Sequence, residues 1–126
     1  MTGIKAYNFT DAETGTTIDA SYVTDGTAKA WIDNDMSATV NDSLNVSSCT
    51  DIGTALFSPQ YTSSFGTSSY SITGCVDTGA SSTAARLLMV YDKTASDVSY
   101  HIEDDASAAT ESSVNAGFIQ AMGDLA

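Results

Sequence analysis

Apolar and polar positions alternate with a period of two along much of the chain, and each alternating stretch is short. Val98, Tyr100 and Ile102 share one parity, while Ser99 and His101 occupy the other, as in a strand with one buried face. Clusters of Ser, Thr, Asp, Asn and Gly interrupt these stretches, and no long segment repeats apolar residues at helical spacing. The pattern predicts roughly eight to ten short strands joined by polar turns.

Two residues interrupt the predicted strands. In the segment that starts at Ala38, we expect Val40, Leu44 and Val46 to share an apolar face. Asp42 breaks this face, which predicts a bulge or a sheet edge there. Pro59 has no amide donor, so its strand end is expected at an edge or a bulge. The predicted strands are Ile4–Phe9, Thr16–Val23, Ala28–Asp33, the segment from Ala38, Ala55–Tyr61, Tyr70–Asp77, Arg86–Lys93, Val98–Ile102 and Val114–Met122.

Arg86–Lys93 is the most apolar of these segments, with apolar residues at both parities. Such a run predicts a central strand that is covered on both faces. Many short strands with regular turn signals are typical of an antiparallel β-sandwich or a jelly-roll-like fold. The expected organisation is an all-β sandwich domain over residues 26–126, preceded by an N-terminal arm or edge hairpin over residues 1–25 that could dock onto a neighbour.

Composition and charge narrow the possible functions. The 126 residues, enough for one domain, include 16 Asp and Glu against 4 Lys and Arg, a formal net charge of -12. Nucleic-acid binding is not expected, because phosphate contacts require clustered cations and these four are scattered. The sequence also shows no apolar run long enough to span a membrane and no secretory signal at its start.

No catalytic motif stands out, and we expect a protein that is not an enzyme. His101 is the single histidine and has the polar parity of its strand, so we expect it to face solvent. A Ser-His-Asp triad would be unremarkable, because Ser and Asp are abundant and no Gly-x-Ser-x-Gly elbow is present.

Cys49 and Cys75 are the two cysteines. With one histidine they are too few for the usual zinc ligand sets. Both lie in predicted strands that could be neighbours, so the sequence leaves open a disulfide between them or two buried thiols.

Closely spaced acidic residues raise the question of calcium. Pairs separated by one residue could hold Ca²⁺, although no EF-hand loop is present. A solvated acidic surface is the preferred interpretation, with no cofactor and with calcium as the alternative. The acidic clusters are Asp11/Glu13, Asp33/Asp35 and Glu103-Asp104-Asp105.

Trp31 and Ile32 are adjacent in a predicted strand, so their side chains point to opposite faces. One of them should therefore be buried in the core, and the other exposed or buried at a subunit interface. Trp31 could also be a platform on which a sugar ring stacks, although a single tryptophan in a small β-domain is more often a core residue.

The segment Gly26-Thr-Ala-Lys29-Ala30-Trp31-Ile32 resembles a block found in small tail-fibre-type virion proteins of tailed double-stranded DNA bacteriophages. Weaker similarities continue at Ser43–Ser48 and at the C-terminal Gly123-Asp124-Leu125-Ala126. Further single matches are Phe57, Pro59, Tyr70 and Gly74. The sequence departs from the family at Asp33–Met36 and at the two cysteines.

This resemblance implies a β-sandwich component of a phage particle, often a homotrimer, with no catalytic residues to transfer. The expected function is structural: a short exposed fibre, tip or spike subunit, or a capsid decoration protein, that mediates assembly and surface attachment. It would lie at the virion surface after assembly in the host cytoplasm. Its partners would be itself, other virion proteins, and a host-surface glycan or protein. The alternative is a soluble, lectin-like carbohydrate-binding module.

Overall fold

A computed structural model of the chain describes residues 8–10, 13–19, 26–78, 85–104 and 114–126. Eight antiparallel strands form two four-stranded sheets, and two more strands form a separate two-stranded sheet, which confirms the predicted all-β sandwich. The strands are β1 (Asn8–Thr10), β2 (Thr17–Asp19), β3 (Ala30–Asp35), β4 (Val40–Leu44), β5 (Val46–Gly53), β6 (Leu56–Tyr61), β7 (Ser71–Asp77), β8 (Arg86–Lys93), β9 (Val98–Asp104) and β10 (Ala116–Met122).

The first large sheet has the strand order β4-β3-β10-β7, and the second has the order β5-β6-β9-β8. Three of the pairings, β3 with β4, β5 with β6 and β8 with β9, join consecutive strands. The strand β10 instead inserts between β3 and β7, where Ile119 lies opposite Ile32 on one side and Gly74 on the other. The last strand of the chain therefore completes the first sheet.

The core lies between the two sheets and is built by the inward parity of each strand. Val98, Tyr100 and Ile102 are fully buried, so the predicted apolar face of β9 is confirmed, while Ser99 on the polar face is buried as well. Ile32 and Ile119 face them from the first sheet and are also buried. Burial of these apolar faces is the main stabilising contribution to a sandwich of this kind.

One buried polar contact links the two sheets. The hydroxyl of Tyr100, on β9, donates a short hydrogen bond to Oδ1 of Asn34 on β3, and both side chains are fully buried. The ring of Tyr100 packs against Gly117, where a Cβ would lie 3.0 Å from the hydroxyl oxygen. Burial is the main cause that raises the pKa of Tyr100 well above its ordinary value, so the phenol stays protonated and remains a donor.

Three aromatic rings close one end of the core. Phe65 stacks on Tyr70 with ring centroids 4.2 Å apart, and Tyr61 meets Phe65 edge-on at 5.0 Å. The Tyr70 hydroxyl donates to the carbonyl of Asp97 at 2.9 Å. Lys93, at the end of β8, donates from Nζ to the carbonyl of Tyr70 at 2.7 Å and lies 5.2 Å from the centre of the Tyr70 ring. The end of β8 is thus anchored to this cluster.

The segment that starts at Ala38 is not one strand, because the chain turns from the first sheet into the second at Asn45. Asn45 has a positive φ of 56°, a conformation that Asn tolerates better than most residues. Its side chain accepts a hydrogen bond from the Ser63 amide at 2.7 Å and donates one to the Ser63 carbonyl at 3.0 Å. The expectation that Val40, Leu44 and Val46 share one face is therefore wrong, and Leu44 is exposed.

Asp42 was predicted at a bulge or a sheet edge, and the structure has both at this residue. The strand β4 is an edge of the first sheet. Its register with β3 shifts between Asp33 and Asn34, which pair with Asp42 and Val40 and leave Asn41 as the extra residue of a bulge.

Pro59 does not mark a sheet edge, because β6 lies inside the second sheet between β5 and β9. The ladder between β6 and β9 pairs Leu56 and Phe57 and stops before Pro59. The missing amide of a proline is harmless at a place where the ladder on that side is interrupted.

The prediction that Arg86–Lys93 is a central strand is wrong. The strand β8 is an edge of the second sheet and pairs with β9 among the described residues. Four of its apolar side chains are exposed: Leu87, Met89, Val90 and Tyr91. A prediction from the alternation of apolar and polar residues assumes that apolar residues are buried within their own chain. The exposed apolar side chains of β8 do not follow this assumption.

The N-terminal segment is described in part. The strands β1 and β2 pair antiparallel through Asn8 with Asp19 and Thr10 with Thr17, and they form a sheet of their own. Residues 1–7, 11–12 and 20–25 of the predicted arm lie outside the described residues, as do most of the predicted loops at 78–83 and 104–113.

Candidate functional site

The outer face of the first sheet carries a broad groove of about 580 Å³. Residues that lie opposite each other in adjacent antiparallel strands share a face. Asp33 lies opposite Asp42 and Phe118, and Trp31 lies opposite Gln120. We call this surface the aromatic groove and define it by the outward side chains that line it, namely Trp31, Asp33, Asp42, Thr73, Cys75, Phe118 and Gln120.

The position of Trp31 and Ile32 agrees with their predicted opposite orientation. Ile32 is buried in the core with 1% of its surface exposed. Trp31 is half-buried and lines the aromatic groove. Ile32 is therefore a core anchor, whereas part of the Trp31 ring is exposed in the groove.

Two carboxylates face each other across the strands at the rim of the aromatic groove. Asp33 and Asp42 are a direct cross-strand pair, an arrangement that is unfavourable for like charges. Asn41, the extra residue of the bulge, donates from Nδ2 to Oδ1 of Asp33 at 3.1 Å. The groove thus combines two aromatic rings with negative charge and with the amide of Gln120.

Asp35 does not join this pair, although the sequence placed Asp33 and Asp35 in one acidic cluster. Its Oδ1 accepts hydrogen bonds from the amides of Thr39 and Ser37, both at 2.8 Å. These backbone N–H groups, with Thr39 the larger cause, lower the pKa of Asp35 below its ordinary value. Asp35 therefore stabilises the turn between β3 and β4.

A second notable surface is formed by the exposed side chains of β8. Leu87 is 57% exposed and Tyr91 69% exposed. We call this surface the β8 edge and define it by Leu87, Met89, Val90 and Tyr91. These four are among seven large apolar residues that are exposed in the described part of the chain, so the exposed apolar surface is concentrated on one strand.

His101 lies beside the β8 edge, on the solvent side of β9 as predicted. It lies opposite Met89 in the ladder, and its ring centroid is 6.1 Å from that of Tyr91. Its Nε2 is 3.5 Å from Oε1 of Glu103.

Both cysteines are free thiols in the structure. Cys49 lies on β5, an edge of the second sheet, and Cys75 lies on β7, an edge of the first. A disulfide between them within one chain is not formed. Burial is the main cause that raises the pKa of Cys49 to about 11, which keeps it a thiol at neutral pH, whereas Cys75 is exposed at the aromatic groove.

In the described residues, no group of three or more His, Cys, Asp or Glu side chains could hold a metal ion. Asp11 and Asp105, which belong to two of the acidic clusters, lie outside those residues. In the same part of the chain, no helix has the length and apolar character needed to cross a membrane.

The sequence did not reveal several residues of these two surfaces. Phe118, Gln120 and Thr73 reach the aromatic groove through long-range pairing of β10 with β3 and β7, which has no local signal. The β8 edge was visible as an apolar run, but the run was assigned to the interior.

We compared the chain with protein families, curated proteins and solved structures. No family model, curated protein or solved structure matches the chain.

Proposed function

We propose that this chain is a non-enzymatic structural protein of a bacteriophage particle, either a short exposed fibre, tip or spike subunit or a capsid decoration protein. The assignment to a phage derives from the sequence block Gly26–Ile32. The β8 edge is the observation that supports an assembling protein. An exposed, apolar edge strand is a site for pairing with another chain, and soluble monomers usually protect such edges.

The other sheet edges support the same interpretation, because they are protected. The edge strands β4, β5 and β7 have the sequences VNDSL, VSSCTDIG and SITGCVD. Polar and small residues dominate all three, whereas β8 reads RLLMVYDK. Of the four edge strands of the two large sheets, β8 alone is predominantly apolar, which suits this edge to contact with another chain.

Purified phage particles provide the test. Antibodies raised against this chain should label the particle surface in electron microscopy, at the tail tip or over the capsid, and mass spectrometry should detect the chain in the particles. Detection of the chain in the lysate but not in washed particles would contradict the proposal.

The N-terminal arm, residues 1–25, is proposed to dock onto a neighbouring virion protein. A chain that starts at residue 26 should keep its circular dichroism spectrum and its unfolding transition, since β1 and β2 form a separate sheet. It should, however, fail to enter particles. Normal incorporation of this truncated chain would remove the arm from the proposal.

Carbohydrate binding is the second candidate, and the aromatic groove favours it. Trp31 and Phe118 could stack against the apolar faces of sugar rings, while Asp33, Asp42 and Gln120 could accept or donate hydrogen bonds to hydroxyl groups. Two carboxylates favour a neutral glycan over an acidic one.

The single tryptophan makes this candidate easy to test. Trp31 lines the groove, so its fluorescence should change when a neutral oligosaccharide binds. The change should saturate with sugar concentration, and replacement of Phe118 by Ala should weaken it. A panel of neutral glycans that leaves the emission unchanged at millimolar concentration would argue against this candidate.

A further inference from the structure

The aromatic groove crosses the whole width of the first sheet. One row of directly opposed residues runs from Asp42 on β4 through Asp33 on β3 and Phe118 on β10 to Cys75 on β7. Neighbouring strands lie about 5 Å apart, so the row is about 14 Å long. Trp31 lies beside the row, because it is two positions from Asp33 on β3 and shares its face. The groove is therefore acidic at its β4 end and aromatic in its middle.

The two carboxylates at the acidic end have no cation of their own. Oδ1 of Asp33 accepts a hydrogen bond from Asn41, and Oδ1 of Asp42 accepts one from the Ser43 amide at 2.8 Å. In the part of the chain that the structure describes, neither carboxylate pairs with a Lys, Arg or His side chain. Like charges placed directly opposite each other destabilise a sheet. A cation bound between them would relieve this repulsion.

The rings beside the carboxylates favour an organic cation. Phe118 lies opposite Asp33, and Trp31 precedes it by two positions on the same strand. A cation over the face of an aromatic ring is attracted by the electrons of the ring, while a carboxylate accepts charge-assisted hydrogen bonds. A guanidinium group suits both neighbours, because its planar face stacks on a ring while its five N–H donors reach carboxylates. The compact ammonium of lysine has no such face.

A second copy of this chain is not suited to supply that group. The chain has one arginine, Arg86, whose Nη1 donates to the Ala85 carbonyl at 3.0 Å and whose Nε is buried. Copies also repel one another, since each has a net charge of -12. The groove is thus matched to a different and more basic protein.

We propose that the aromatic groove binds an arginine side chain of a neighbouring virion protein. Asp33 and Asp42 hold the guanidinium, which packs against the rings of Trp31 and Phe118. The proposal deepens the proposed function, on which it rests for the identity of the partner, by naming the chemistry of one contact.

The first measurement is a titration of the full chain with a short capped peptide of Ala and Gly that has one central arginine. The emission of Trp31, the single tryptophan, reports on the groove. The matched control peptide has citrulline in place of arginine, which keeps the shape and removes the charge. We expect a saturable change with the arginine peptide and at least about tenfold weaker binding of the citrulline peptide. Equal affinities, or an unchanged emission with the arginine peptide up to about 10 mM, would overturn the inference.

The second measurement repeats the titration on variants of the acidic pair. Asp33→Asn and Asp42→Asn remove one charge each and keep the acceptor oxygens that Asn41 and Ser43 use. Each variant should bind the arginine peptide at least about fivefold more weakly. Asp51→Asn is the control, because Asp51 is an exposed carboxylate on β5 of the other sheet, and it should bind normally. Normal binding by the double variant of Asp33 and Asp42 would contradict the proposal.

Urea unfolding of the free chain separates binding from folding. Removal of one of two opposed like charges should raise the unfolding midpoint of Asp42→Asn, although the same change weakens binding. A lower midpoint would assign the acidic pair to the stability of the fold and overturn the inference.

A neutral oligosaccharide provides the last arm of the test. Saturable binding of the sugar by a chain that does not bind the arginine peptide would assign the groove to carbohydrate and reject the inference. Incorporation of the chain into particles would still test the proposed function separately.

Discussion

The two edges of the second sheet, β5 and β8, differ in the apolar surface that they expose. Both are eight residues long, and both flank the buried pair β6 and β9. Outward positions of β5 carry Ser47, Ser48 and Thr50, and its one large exposed apolar side chain is Ile52. The strand β8 exposes four such side chains. Two edge strands of one sheet and of equal length therefore expose very different amounts of apolar surface, because their side chains differ.

The strand β7 is tightly packed at Gly74, between β10 and the inner side of β8, and the largest effect is expected there. A Cβ on Gly74 would overlap the carbonyl oxygen of Phe118 and lie 2.9 Å from Cγ2 of Ile119, both on β10, and 3.3 Å from Cδ1 of Leu88 on β8. Because one of these neighbours is backbone, Gly74→Ala should reduce the free energy of unfolding by about 2–3 kcal/mol in urea titrations.

Gly53, at the end of β5, provides the matched control. Its added Cβ would meet Leu56 at 3.7 Å, an ordinary contact. Gly53→Ala should therefore change the free energy of unfolding by less than about 0.5 kcal/mol. Equal losses for the two substitutions would show that Gly74 on β7 is packed no more tightly than Gly53 at the end of β5.

The anchored end of β8 should give the next largest effect. Lys93→Met removes the hydrogen bond from Nζ to the Tyr70 carbonyl and the cation over the Tyr70 ring, and we expect a loss of about 1 kcal/mol. Lys29→Met removes the same charge from an exposed loop, where Nζ donates to Thr27, and should be nearly neutral. A neutral Lys93→Met would mean that β8 is held by its pairing with β9 alone.

A smaller effect is expected from the β8 edge itself. Leu87→Thr and Ile52→Thr replace exposed residues on the two edges of one sheet. Both should change the free energy of unfolding of the monomer by less than about 0.5 kcal/mol. Measurements at low protein concentration avoid any contribution from association. A loss of more than about 1 kcal/mol for Leu87→Thr alone would assign the edge to folding rather than to assembly.

The last comparison concerns the two cysteine thiols, and it is made on the reactivity of the unmodified chain rather than on its stability. The pKa of Cys49 on β5 is raised to about 11 by burial, so at pH 8 roughly one molecule in a thousand carries the reactive thiolate. Iodoacetamide should therefore alkylate Cys49 at least about tenfold more slowly than the exposed Cys75, as followed by peptide mass spectrometry. In urea the two rates should converge.

The same pKa sets a direction for stability at high pH. The folded thiol holds its proton to a higher pH than the unfolded thiol, whose ordinary value is 9.0. The contribution of Cys49 to stability is thus complete below pH 9 and is lost as the pH rises towards about 11. A Cys49→Ala variant should show a weaker decline of stability over this interval.

Much of the fold follows from local pattern. Val98, Tyr100 and Ile102 carry the alternation of a half-buried strand, and all three are buried in the structure. Trp31 and Ile32 lie on opposite faces because adjacent residues in a strand must. The order of strands within the sheets cannot be predicted from local pattern, because β10 pairs with β3, which is more than 80 residues earlier in the sequence.

The errors have physical causes that can be located. The strand β4 ends and β5 begins at Asn45 without a break in the apolar pattern, because a single residue with positive φ turns the chain from the first sheet into the second. Pro59 is accommodated inside a sheet because the adjacent ladder is interrupted. The β8 run was assigned to the interior because an apolar residue that is exposed in the fold and one that is buried look the same in sequence.

The buried bond between Tyr100 and Asn34 fixes how the two notable surfaces of the molecule are placed relative to each other. Interdigitated apolar side chains already resist sliding of the two layers, and a hydroxyl that must reach one particular amide oxygen adds a specific constraint on their relative position. The aromatic groove belongs to one of these layers and β8 to the other. The angle between the groove and the β8 edge is therefore set within each chain by a hydrogen bond between two core side chains.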